Sequence, residues 1–352
     1  MQPNHFSKAL ILTLIIVFAF ASFWEWYWRH KGYGIAYNDD KYIWAAKRKE
    51  IYQPANRSTV FIGASRSKFD IDISTWEKLT GEEAVQLAFV GVTPRPILHN
   101  LADDENFRGK VVIGVTEGVF FAIDSTLREA FAREALGYYY SETPAQMVST
   151  QIGFLLESKL VFLEEGKFGL TELLRDIRLR GRKGTPNRPP LPREFYVSNY
   201  QRQTLMTPMF IANPQLQNKK KQAWTRGVLA AHISPIKGDT LQAYLQEIKN
   251  CIDKIRSRGG MVVFIRPPSD GIMLAKENTD YPRKDYWDQL IKFTETPGYY
   301  YSDYPSMANL KCVEESHLSP QNAVIYTEAL INILKTQKGW TFPQSYSSNL
   351  KP

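Results

Sequence analysis

Cysteine is nearly absent from this chain. Two thiols in 352 residues, Cys251 and Cys312, exclude a disulfide-stapled scaffold and a cysteine-built metal centre. The pair suffices for one disulfide if the chain lies outside the cytoplasm, but two cysteines do not report the compartment. Histidine is scarce as well, with five in all. His5 and His30 flank an apolar run, His99 and His232 stand in no motif, and only His317 has an informative neighbourhood. No His/Cys/Asp/Glu grouping has metal-ligand spacing, and Gly259-Gly260 reads as a helix stop rather than a phosphate loop, so neither metal nor cofactor is expected. Long apolar runs are limited to one.

That run is Ala9 to Trp28, interrupted only by Thr13, Ser22 and Glu25 and closed by Trp24, Trp26, Tyr27 and Trp28. About 20 such residues cross a bilayer as a helix, and the closing aromatics suit the membrane interface. Ala19-Phe20-Ala21 has the small-x-small form of a signal-peptide cleavage site, but bulky aromatics crowd the positions after it, which favours an uncleaved anchor. Lys8 lies on one flank and Arg29, Lys31 and Lys41 on the other, a distribution that leans weakly against an external domain. The expected organisation is a short tail over 1–8, an anchor over 9–28, a juxtamembrane linker over 29–57, a folded domain over 58–336 and a C-terminal tail over 337–352.

With 43% hydrophobic residues and 13% aromatics, the remainder can bury a full core. The net charge of +8 falls conspicuously in two places. One is Arg175 to Arg193, with Arg178, Arg180, Arg182 and Lys183 running into Pro186, Pro189, Pro190 and Pro192; the other is Lys219-Lys220-Lys221. On a tethered chain such loops suit anionic lipid or polysaccharide, or plain solvation, better than nucleic acid.

Short β-rich runs at Ser58 to Ile62, Ala84 to Phe89, Lys110 to Val115, Met261 to Ile265 and Tyr299 to Tyr301 alternate with helical patterns. The helices fall at Ile71 to Leu79, from Pro94-Arg95-Pro96, at Leu241 to Ile255, at Tyr286 to Phe293 and after Ser319-Pro320. The strands are continuous apolar runs at their centres, as in a sheet covered on both faces. Between about 124 and 240 the alternation breaks into the helical patterns Leu127 to Leu136 and Pro144 to Leu163, followed by an aromatic stretch from Phe195 to Phe210. The predicted fold is α/β: a three-layer α/β/α sandwich with a mostly parallel five-stranded sheet, a helical and basic insertion over 124–240, and an N-terminal transmembrane helix.

Such sheets carry function beyond the carboxyl ends of their strands. Ser65 follows the first strand in Phe61-Ile62-Gly63-Ala64-Ser65-Arg66-Ser67, and His317 lies beyond the fifth in Glu314-Glu315-Ser316-His317-Leu318-Ser319-Pro320. They stand 252 positions apart, so only a fold that joins the tips of its first and last strands makes them partners. A serine hydroxyl is a weak nucleophile at neutral pH; it needs a base in hydrogen-bond reach and a third group to hold that base. His317 is the candidate base, and Glu314 the orienting acid, with Glu315 an adjacent rival. Arg66 and Arg266, also at strand ends, are candidates to clamp an anionic substrate or to make ion pairs.

This order of motifs resembles the SGNH, or GDSL-like, hydrolase superfamily, in which the serine follows the first strand and an Asp-x-x-His pair precedes the last helix. Gly63-Ala64-Ser65-Arg66 and Ser316-His317-Leu318-Ser319 on a single anchor resemble more narrowly the membrane-tethered members that partner membrane-bound O-acyltransferases, as in teichoic-acid D-alanylation and alginate acetylation. The likeness covers about residues 58 to 335. It departs at the acid, where Glu314 stands for Asp, and at the family's Gly-x-Asn block, where Val115-Thr116-Glu117 stands instead. Gly91 maps to the oxyanion glycine, and Thr116 or backbone groups stand in for the missing Asn. The resemblance implies a chain anchored in the cytoplasmic membrane, mostly outside it, that moves an O-acyl group, acetyl by preference, to a cell-envelope glycan, supplied through a multi-spanning acyltransferase partner. It also admits an esterase of the same chemistry and a non-catalytic adaptor for that acyltransferase.

Overall fold

In the computed structural model, which describes residues 3–52, 58–121, 126–176, 192–230, 234–336 and 340–342, apolar β-branched runs become strands where the sequence places them. The described residues hold seven strands: β1 (Thr59–Ile62), β2 (Ala84–Gln86), β3 (Lys110–Gly114), β4 (Tyr196–Ser198), β5 (Thr204–Met206), β6 (Met261–Arg266) and β7 (Gly298–Tyr300). Five form one sheet in the order β2-β1-β3-β6-β7, every pair parallel, and the class is therefore α/β. All four residues of β1 and the last four of β3 are buried, so both faces of the central strands are covered.

The chain divides into two compact units, Met1–Asn38 with Thr143–Arg193, and Asp39–Glu142 with Glu194–Pro352. The sheet lies wholly in the second. The segment expected as one insertion is thus split between them. Its helix Thr126–Ser141 and the antiparallel hairpin β4–β5 belong to the sheet unit, whereas the helix Pro144–Glu157 belongs with the N-terminal helix. The hairpin was not anticipated by the aromatic stretch that contains it.

Two further ranges read as connecting or trailing chain carry core residues. Lys41–Glu50, inside the expected linker, is a helix capped by Asp40, which accepts from the Tyr42 and Ile43 N–H groups; its Ile43, Trp44 and Ala45 are buried. Trp44 donates to the Leu87 carbonyl at 3.0 Å just beyond β2. Trp340, in the expected tail, also packs into the core. Strand β2 is an edge of the sheet, and Arg202 covers it by donating to the Gln86 and Ala88 carbonyls at 2.8 and 3.1 Å.

The two cysteines do not pair. Cys251, on the helix Gly238–Ser257, is buried 3.5 Å from His99 Nδ1, and burial pushes its thiol up to about 12. Cys312 lies in the loop before His317, where its N–H donates to Asp270 at 2.7 Å; both thiols are free.

In the other unit, Pro3–His30 is a single helix of 28 residues, long and apolar enough to cross a membrane. Arg178, Arg180, Arg182, Lys183, Pro186, Pro189 and Pro190 of the basic linker, and His232, lie outside the described residues.

Candidate functional site

After β1 the chain turns through Gly63 and Ala64 into a short helix, Ser65–Phe69, with Ser65 at its first position. This turn can sit close to the sheet because two neighbouring strand-end residues lack side chains. The Ser67 hydroxyl occupies the space where a Cβ would fall, within 2.1 Å at Gly63 and 1.9 Å at Gly114. Arg66 through Asp70 are all buried, and Ser65 alone of this helix remains partly exposed.

His317 arrives on a loop closed by its own backbone. Cys312 and Leu318 form a bridge, and Val313 N–H donates to the His317 carbonyl at 3.0 Å. Glu315 takes the left-handed conformation at the tip, with φ of 76°. Three groups of the serine helix and its C-cap hold this loop. Arg66 Nε donates to the Ser316 carbonyl at 3.2 Å, the Phe69 ring stacks on the His317 imidazole at 4.1 Å between centroids, and Asp70 accepts from Leu318 N–H at 2.9 Å.

The result is a continuous line of hydrogen bonds. His317 Nε2 lies 2.8 Å from Ser65 Oγ, and His317 Nδ1 lies 2.5 Å from Glu314 Oε1. The geometry selects Glu314 over Glu315 as the acid on the imidazole. Glu315 instead accepts from Ile272 N–H at 3.2 Å, in the first turn of the helix Gly271–Asp280. His317 and Glu314 are 2% and 0% exposed, so the base and its acid are shielded from water while the hydroxyl is not.

Burial lowers the His317 pKa below its ordinary 6.5, and the Glu314 carboxylate only partly opposes this; Arg66 and Lys220 add to the lowering. The imidazole is therefore neutral at neutral pH. With Nδ1–H donating to Glu314, Nε2 is left as the acceptor for the serine proton.

Two site residues escaped the sequence reading. The helix Pro214–Ala230 places Lys220 and Trp224 four residues apart on one face. The Trp224 indole N–H donates to the second Glu314 oxygen, and Lys220 Nζ lies 3.6 Å from the Trp224 ring and 4.5 Å from that of Phe195. Burial pulls Lys220 down to about 8, against the opposing pull of Glu314. Lys220 was expected among the basic residues of a solvated or polyanion-binding loop; it is instead 1% exposed inside the site. The four-residue spacing of Leu216, Lys220 and Trp224 was the available signal for a packed face. Behind Phe69, the hairpin contributes Met206 to a small cluster with Phe195 and Phe210.

The arginines are not exposed clamps. Glu277 takes Arg66 Nη2 at 2.5 Å on one oxygen, and Arg266 Nη2 at 2.6 Å and the Ser269 hydroxyl at 2.7 Å on the other; Arg266 Nε also reaches Glu117 at 3.0 Å. Both guanidiniums are fully buried, so the substrate role expected of them gives way to the ion-pair alternative. Burial alone raises the Glu277 carboxyl, but Arg66 and Arg266 outweigh it and hold it below its usual range. Arg66 acts as a strut between the serine segment and the histidine loop.

Gly91 lies in the loop after β2 and Thr116 just past the end of β3, the two strands that flank β1. Gly91 is exposed with φ of 70°, a conformation that by itself explains the glycine. Thr116 precedes the short helix Glu117–Phe120 without spending its hydroxyl on a cap, and it is partly exposed. In strand register Thr116 is as far past Ile113 as Ser65 is past its partner Ile62. No protein-family model matches the chain, and no curated protein matches it significantly.

Proposed function

We propose that this chain is an SGNH-like serine acyltransferase, held in the cytoplasmic membrane by Pro3–His30 with its bulk outside, that transfers an O-acyl group, acetyl by preference, to a cell-envelope polysaccharide. The observation that carries the reading is the unbroken line from Ser65 Oγ through His317 to Glu314. A three-layer sandwich with a helical insertion between β3 and β6 is the matching fold. In its favour, Arg95–Asp103 and Trp287–Thr294 both pack on Gly238–Ser257, while Ile73–Thr80 packs separately with Pro320–Thr336.

In the first half-reaction Ser65 Oγ attacks the donor's acyl carbonyl as His317 Nε2 takes the hydroxyl proton. The tetrahedral intermediate collapses when His317 returns that proton to the leaving group, and the acyl ester remains on Ser65. In the second, His317 deprotonates a sugar hydroxyl, whose oxygen attacks the ester; on collapse His317 returns that proton to Ser65 Oγ, which leaves as the free hydroxyl, and the acylated sugar is released. Water in place of the sugar gives simple hydrolysis, the esterase outcome. The Thr116 hydroxyl and backbone N–H groups near Gly91 and Ser65 are the proposed donors to the developing oxyanion. Among the described residues one helix is long enough to cross a membrane, which motivates a multi-spanning acyltransferase partner as the donor's route.

The test is covalent. A serine-directed fluorophosphonate should label Ser65 in the wild-type protein and fail to label His317→Ala. Polymer acylation in cells carrying Ser65→Ala at normal protein levels separates enzyme from adaptor, since unchanged acylation there ends the catalytic reading.

A further inference from the structure

The helix Pro144–Glu157 exposes what a water-facing helix hides. Val148, Ile152, Leu155 and Leu156 follow the i, i+4, i+7, i+8 spacing of a single stripe, and all four are exposed, Val148 at 61% and Ile152 at 54%. The buried residue of this helix, Phe154, points elsewhere, so the stripe is a second apolar face turned outward. From Pro144 through Leu156 there is no Asp, Glu, Lys or Arg. In the same unit the short helix Leu170–Asp176 also exposes Leu170 and Leu174. Such continuous apolar exposure marks a contact surface.

Its position in the unit identifies the occupant. The chain leaving this helix is bound to the end of Pro3–His30. Glu25 accepts from the Val161 N–H at 2.9 Å, Arg29 donates to the Lys159 carbonyl at 2.9 Å, and Trp28 packs on Phe168 at 4.4 Å between centroids. Leu155 and Leu156 are therefore tied to the level of Trp24, Trp26, Tyr27 and Trp28, the aromatic collar where a spanning helix meets the headgroups. The helix has 14 residues, about 21 Å of length, too short for a hydrocarbon layer of about 30 Å.

We propose that Pro144–Glu157 lies along the bilayer surface, its Val148–Ile152–Leu155–Leu156 stripe inserted at the boundary between headgroups and acyl chains. The chain thus has a second, in-plane lipid contact beside its anchor. This rests on reading Pro3–His30 as a membrane span, and the experiment separates the two.

The full chain, with Cys251→Ala and Cys312→Ala, is placed in phosphatidylcholine–phosphatidylglycerol nanodiscs and given single environment-sensitive fluorophores at Val148→Cys, Ile152→Cys, Thr150→Cys on the opposite side, or Ile15→Cys in the anchor. Nitroxide lipids quench either near the headgroup or deep in the acyl chain. Labels at 148 and 152 should be blue-shifted and quenched by the shallow nitroxide, the label at 150 unquenched, and the label at 15 quenched by the deep one. Labels at 148 and 152 that stay unquenched while 15 is quenched overturn the in-plane helix and leave the anchor standing. The same holds if they are shielded from aqueous iodide yet untouched by nitroxide lipid, because protein then covers the stripe. An unquenched label at 15 overturns both.

Discussion

Trp224 donates its indole N–H to the Glu314 oxygen that His317 leaves free. The acid beneath the imidazole is thereby held from two sides, and the bond to His317 is not its only constraint. Trp224→Phe keeps an aromatic ring, though a smaller one, and removes the donor. Turnover of an activated ester should fall by roughly 10- to 100-fold, the weight of one hydrogen bond to a charged group, with folding unchanged by circular dichroism.

Ser65→Ala and His317→Ala should each lower acyl transfer by roughly 10⁴-fold, and the double variant should be no worse than either, because nucleophile and base act as one unit. Additive losses in the double variant would show two independent contributions and break the proposed pairing.

The two neighbouring glutamates should separate cleanly. Glu314→Gln removes the charge that orients and stabilises the imidazolium and should lower turnover strongly. Glu315→Gln weakens a helix-start contact, at a cost of about 1 kcal/mol or less in thermal stability, and should leave turnover nearly intact. A Glu315→Gln variant that loses activity without losing stability would reassign the acid.

The pH profile follows from the direction of the His317 shift. Only the neutral imidazole accepts the serine proton, so activity should persist as pH falls below 6.5 and disappear as His317 becomes protonated at its lowered pKa. Lys220 contributes to that lowering. Lys220→Met should therefore move the acid limb of kcat/KM to higher pH, and an unmoved limb would show that Lys220 has no electrostatic hold on the base.

The buried ion-pair group makes a stability prediction. Glu277→Gln removes the carboxylate charge shared by Arg66 and Arg266 and leaves two buried guanidiniums undercompensated. A loss of about 3–5 kcal/mol in denaturant unfolding is expected.

The sheet was legible because Val60 to Ile62, Val111 to Ile113 and Val262 to Ile265 are continuous apolar runs, a pattern set by burial on both faces. Strand-end logic then brought Ser65 and His317 together across the chain. Register softened at the edges: β2 stops at Gln86, where Phe89 was expected, since an edge strand pairs on one side only. What stayed hidden were roles set by tertiary partners. Arg66 and Arg266 read equally as substrate clamps or ion-pair residues and Lys220 as loop charge, and only the positions of Glu277 and Trp224 show that all three are internal. Phe69 and Trp224 look like ordinary aromatics until the histidine loop lies beside them. Thr116→Val removes the hydroxyl proposed to serve the oxyanion, and a loss on the order of 10²-fold in turnover is expected.

Glu314 and His317 share one five-residue loop closed by the Val313 to His317 bond, whereas Ser65 belongs to the sheet through Ser67 and the two glycines. Glu314 and His317 therefore form a single cartridge, and Ser65 is bolted to the frame. A shift of the loop as a body would open the Ser65–His317 gap and leave Glu314 on its imidazole, parting the hydroxyl from the ring without disassembling the Glu314–His317 pair. The struts that govern that gap are Arg66, Phe69 and Asp70, none of which the chemistry itself consumes.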